Sequence, residues 1–147
     1  ILVWVNPIAP LQKYEEIRKV VNYFKRKKID SLITTSYNQV HSIYKKKPIN
    51  FSLKKKFDKT QDLEPVENFA YSLMIWKKKV FVNQFLSKKY AIICGKFKTY
   101  PVNKESALLI KNFTDLKIAE AIIKSQTNKF IFKLEYDKIF KSINYGS

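Results

Sequence analysis

A chain of 147 residues, 46% hydrophobic and 15% aromatic, can bury a core that offsets its conformational entropy, which argues against a disordered polypeptide. A single cysteine, Cys94, excludes an internal disulfide framework, and no apolar run approaches the roughly 20 residues of a membrane helix, so a cytoplasmic protein with no membrane partner is expected. The formal charge of +17 comes almost wholly from lysine, since Arg18 and Arg26 are the only arginines. The guanidinium fork favoured in base and phosphate recognition is therefore nearly missing, and the lysines read as a solvated surface rather than a nucleic-acid face.

Ile1 to Val5 is a continuous apolar run closed by Asn6-Pro7, which predicts a buried parallel strand. It is too short for the apolar region of a secretory signal and has no basic residues ahead of it. A domain rarely opens inside a core strand, so a fragment of a larger domain is expected. From Tyr14 to Lys28 the period is helical, with Ile17, Val20, Val21 and Phe24 on one face. Asp30 to Thr35 reads as a second strand, and strand, helix and strand together predict a βαβ unit with a right-handed crossover.

The middle of the chain is less regular. His41 to Lys47 and Ile49 to Leu53 are β-like pieces around Pro48 and predict a hairpin arm, followed by a loop from Phe57 to Val66. Phe69 to Trp76 predicts a strand and Val80 to Leu86 a short helix. Gly95 separates the runs Tyr90 to Cys94 and Lys96 to Val102, and Ala107 to Ile110 is one more apolar run. Asn112, with Asp115 three residues on, predicts a helix N-terminus ahead of Leu116, Ala119, Ile122 and Ile123. Beyond Ser125 the spacing of Phe130, Phe132, Leu134, Ile139 and Phe140 fits strand and helix alike. One α/β domain with an inserted β arm is the expected organisation.

Few residues announce chemistry by themselves. The only glycines, Gly95 and Gly146, lie far apart, so no glycine-rich phosphate loop is present. No metal-spaced Cys/His set and no Ser/His/Asp array occurs. His41 is the sole histidine and reads as structural beside Ser42 and Tyr44, while Cys94, in an apolar run, reads as a buried inert thiol.

Four segments, in order, resemble the acylneuraminate cytidylyltransferases (the CMP-N-acetylneuraminate synthetase family). Val5-Asn6-Pro7-Ile8-Ala9-Pro10-Leu11-Gln12 is similar to the family's Gln-Pro-Thr-Ser-Pro-Leu-Arg motif at a strand end. Ile29 to Thr35 is similar to its Ala-Asp-Ser-Val-Val-Ser-Val continuation, and Gln61-Asp62-Leu63-Glu64-Pro65-Val66 to its Arg-Gln-Asp-Leu-Pro-Pro-Val segment. Asn112 to Glu120 is similar to its Thr-Glu-Glu-Asp-Leu-Lys-Ile-Ala-Glu helix start. The resemblance covers roughly residues 2 to 125. It implies the C-terminal two-thirds of a three-layer, Rossmann-like nucleotidyltransferase fold, with a dimerisation arm at about residues 38 to 70 and the nucleotide-binding loop upstream of Ile1. It implies a homodimer whose substrates are CTP and a 2-keto sugar acid. With Mg²⁺ assistance the anomeric hydroxyl of the sugar attacks the α-phosphate and yields CMP-sugar and pyrophosphate.

Carried over position by position, the resemblance implies substrate contacts at Asn6, Gln12 and Gln61. Asn6 stands where the family has a sugar-contacting Gln, Gln12 stands in place of an Arg, and Gln61 matches a Gln in a loop that reaches the partner's site. The Arg before that Gln is Thr60 here, with Lys59 next to it as a point cation. The family's Asn-Gly-Ala falls on Ala70-Tyr71-Ser72, and its metal-holding Asp-Ile-Asp on Leu109-Ile110-Lys111, so no metal ligand is found in this chain. A catalytically degenerate relative, or a lysine-rich module that binds an anionic polymer, stays open as the alternative.

Overall fold

The computed structural model describes residues 1–57 and 59–127. Its centre is a four-stranded sheet ordered β1-β5-β2-β6, built from β1 (Leu2–Val5), β2 (Ser31–Asn38), β5 (Val66–Trp76) and β6 (Phe97–Pro101). β5 runs antiparallel to both β1 and β2, whereas β6 runs parallel to β2. The chain is thus mixed α/β, and among the described residues it has three α-helices: α1 (Tyr14–Arg26), α2 (Lys78–Lys88) and α3 (Phe113–Thr127). None of them is long and apolar enough to cross a membrane.

Alternation along β2 and β5 makes two cores. Leu32, Leu73 and Ile75 point to the face covered by α1, whose Val20 and Phe24 are buried there with Ile29. Ile33, Met74 and Trp76 point to the other face, where Cys94 and the α2 residues Val80 and Phe81 pack. Each fully buried aliphatic or aromatic side chain contributes about 1.5–3 kcal/mol. Helix α1 also suits its dipole, with Glu15 and Glu16 in the first turn and Lys25 and Arg26 in the last. The apolar stripe expected from Ile17 to Phe24 is the one that packs.

Strand β1 differs from its expectation as a buried parallel strand. It is the margin of the sheet, pairs antiparallel with β5, and leaves Val3, Trp4 and Val5 about 40% exposed. A continuous apolar run does signal a strand with two apolar faces, but burial also needs a neighbour on each side. Among the described residues only β5 pairs with it. β1 and β2 keep the parallel sense expected of a strand–helix–strand unit, with β5 inserted between them.

The arm spans residues 39–65, between the paired ends of β2 and β5. Its hairpin is shorter than expected and turns elsewhere: β3 (Ile43–Tyr44) pairs with β4 (Lys47–Pro48) across Lys45-Lys46, both with positive φ. Pro48 lies in the second strand and not at the turn, and Ile49 to Leu53 is not a strand. Val66 and Phe69, expected in the arm, belong to β5, which starts three residues before the expected Phe69. His41 stacks on Phe57 at 4.0 Å and meets Phe51 edge-on. A single helical turn, Thr60–Asp62, occupies the loop. Residues 130 to 140, for which strand and helix were both open, lie outside the described residues.

Asp30 ties three segments together. Its carboxylate accepts from Lys77 Nζ and from the Lys96 amide, each at 2.8 Å, and its own amide donates to the Lys96 carbonyl. The Lys77 hydrogen bond, then the Lys96 amide, hold this carboxyl below its ordinary value of 3.8. A depressed carboxylate stabilises the fold fully above its unfolded pKa and loses that contribution as pH falls through the folded value. The stability gap between wild type and Asp30→Asn should therefore be widest above about pH 5 and should close on acidification. Urea midpoints measured across that range check this, and a gap that widens toward acid would refute it.

Candidate functional site

Where β2 and β5 pair, the register breaks. Ile33 faces Met74 and Thr35 faces Phe69, so Thr34 alone spans the four residues Ala70 to Leu73. The extra residues bulge out of β5, and Tyr71 at their crest has φ 52, a left-handed backbone that costs a bulky L-residue about 1–2 kcal/mol. Bulges commonly re-aim side chains beside functional sites.

The bulge is stitched from both sides. Thr34 Oγ1 donates to the Leu73 carbonyl and accepts from the Leu73 amide, both at 3.0 Å. With its one proton so used, it accepts from Ser72 Oγ at 3.1 Å. On the far side the Asn6 amide donates to Ser72 O, and Asn6 Nδ2 donates to Tyr71 O at 3.0 Å. Asn6 Oδ1 accepts from the Ile8 amide. The side-chain amide of Asn6 thus binds backbone at both ends, and the residue is 9% exposed.

Beside the bulge, at the carboxyl end of β2, lies a cavity of about 330 Å³. Ser36, Phe69 and Ala70 line it from the sheet, and Leu108, Leu109, Lys111, Asn112 and Asp115 from the segment that leads into α3. That segment is docked to the end of β1 by the Ile110 amide, which donates to Ile8 O at 2.8 Å. It then turns into α3 through the expected capping box. Asp115 N donates to Asn112 Oδ1, while Asp115 Oδ2 accepts from the amides of Asn112 and Lys111. Carboxyl ends of strands are where open α/β sheets place ligands. A second concavity of about 350 Å³ runs along the hairpin, lined by Tyr44, Lys45, Lys47, Pro48 and Ile49, with no side-chain acid or base other than lysine and tyrosine.

Of the residues singled out from sequence, Leu109 and Lys111 line the cavity and Asn6 holds the bulge next to it. Gln12 and Gln61 do neither. Gln12 precedes α1 with its side-chain oxygen enclosed and unpartnered. Gln61 is exposed on the arm, where its carbonyl accepts from Gln39 Nε2 at 2.8 Å. Sequence reasoning missed Thr34, Ser36 and Phe69. Cys94 is a buried thiol as expected, with its pKa raised by burial first.

The cavity does not suit a divalent cation. Leu109 and Lys111 offer no oxygen ligand, Asp115 Oδ2 is committed to two backbone amides, and no group of three His, Cys, Asp or Glu side chains is gathered among the described residues. The chain matches no protein-family model, and no curated protein is significantly similar to it.

Proposed function

We propose that this chain is the sugar-acid-binding part of a divergent cytidylyltransferase that activates a 2-keto sugar acid with CTP, built on a Rossmann-like nucleotidyltransferase sheet. One observation carries the reading. The resemblance sets the glycine of Asn-Gly-Ala at Tyr71, and Tyr71 has the positive φ that glycine adopts freely. Support also comes from the cavity, because Ala70, on which the family's Asn-Gly-Ala begins, and Leu109 and Lys111, on which its metal-holding acids fall, all line it.

In this reading the bulge and the end of β1 set the sugar against the sheet. Asn6 acts as a positioning residue through the backbone of Tyr71 and Ser72. The arm joins two copies, with Phe57, Ile43 and Tyr44 as its exposed apolar surface. CTP is held by the phosphate loop that the resemblance sets upstream of Ile1. A degenerate relative is the second reading, favoured by Leu109 and Lys111.

The test is pyrophosphate release from CTP with N-acetylneuraminate and other keto-sugar acids. The 147-residue chain should be silent, because it has no cradle for the α-phosphate and its leaving group. A polypeptide that includes the family's upstream loop should turn over. Silence there across all the acids would discard the enzyme in favour of the degenerate relative.

A further inference from the structure

Resting on that reading of the cavity, we infer that it binds the anionic group of its ligand directly on Lys111, with no divalent cation between them. The residues that line the cavity include one cation, Lys111, and one carboxylate, Asp115. The carboxylate of Asp115 is turned to the start of α3, where it satisfies the Lys111 and Asn112 amides. The helix N-terminus is thereby closed by the chain's own acid and is not itself the anion site. Lys111 is exposed and has no ion pair among the described residues. Its ammonium is the charge left to meet a ligand.

The neighbours agree with that polarity. Asn112 and Ser36 add short polar side chains, and Phe69 and Leu109 add apolar walls. A small oxyanion carried on a polyhydroxylated body fits such a wall-and-cation arrangement. A metal bridge would instead need carboxylates facing the same space, and a cation there would be repelled by Lys111. The recognised chemistry is an anionic oxygen group, which a sugar carboxylate or a nucleotide phosphate can each supply.

Calorimetry on the 147-residue chain with N-acetylneuraminate, and separately with inorganic phosphate, in EDTA or in millimolar Mg²⁺, tests this. The sugar acid should bind with the same affinity in both media, to within about twofold. Lys111→Glu should weaken it at least about tenfold and Lys111→Arg should restore most of it, because a charge-assisted hydrogen bond carries the contact. The double variant Leu109→Asp, Lys111→Asp should bind only when Mg²⁺ is present. Wild-type affinity that rises tenfold with Mg²⁺, or Lys111→Glu binding as wild type does, overturns the inference and leaves the proposed function standing. Binding of phosphate but not of the sugar acid keeps the lysine-for-metal inference and removes the sugar-acid reading. Binding of neither probe overturns both.

Discussion

Gly95→Ala is expected to lower stability by about 3 kcal/mol, roughly 10 °C in melting temperature for a domain of this size. Two effects add. Gly95 has φ +56, a conformation in which an alanine costs about 1–2 kcal/mol. A methyl there would also stand 2.5 Å from Asp30 Oδ2 and 2.6 Å from Asp30 Cβ. Asp30 cannot retreat without releasing Lys77 and the Lys96 amide, so the clash falls on the joint between β2, α2 and β6. Urea unfolding with an unchanged m-value is the measurement. A loss below about 1 kcal/mol would mean that Asp30 moves aside at little cost and that the joint is softer than its hydrogen bonds indicate.

The second large effect is at Thr34. Thr34→Val keeps the shape but strips the hydroxyl from a fully buried position, leaving the Leu73 amide, the Leu73 carbonyl and the Ser72 hydroxyl without their partner. Buried polar groups left unsatisfied cost about 1–3 kcal/mol each, and with partial relaxation a total of about 3 kcal/mol is expected. Thr34→Ser retains the oxygen and should lose about 1 kcal/mol for the methyl group. Equal losses for the two variants would assign Thr34 a packing role only. Because Thr34 holds the bulge beside the cavity, Thr34→Val should also weaken sugar-acid binding, whereas Gly95→Ala, on the opposite end of β2, should leave it unchanged at temperatures where both fold.

Local chemistry was what the sequence made legible. The α1 stripe from Ile17 to Phe24 and the Asn112–Asp115 capping box need only neighbours three or four residues away, and both occur as read. The β5 bulge needs Thr34, nearly forty residues upstream, and no glycine marks it, so Phe69 to Trp76 reads as one uninterrupted strand. The hairpin turn is hard to place from sequence for a similar reason. Lys45-Lys46 lacks the Asn-Gly signature of a two-residue turn, and Pro48 reads as a breaker although it sits in an edge strand, where proline is tolerated. At the site, the resemblance supplied positions and the structure supplied their surroundings. Leu109 and Lys111 stand out because they break the family's pattern, and Asn6 because it keeps an amide there. Ser36, a small polar residue in a strand, gives no signal until the fold sets it at the cavity.

The two margins of the sheet are not equivalent, and this gives the molecule a direction of growth. At one margin, β6 presents Lys98 and Pro101, the latter without an amide proton to offer. A further strand there would have to dehydrate an ammonium and accept a gap in its ladder. At the other margin, β1 offers an unbroken backbone between apolar side chains on both faces, with neither charge nor proline from Leu2 to Val5. Of the two margins among the described residues, the one at β1 therefore offers less resistance to an added strand. The carboxyl end of β1, where Asn6 meets the bulge, would then lie inside the enlarged sheet rather than on its rim.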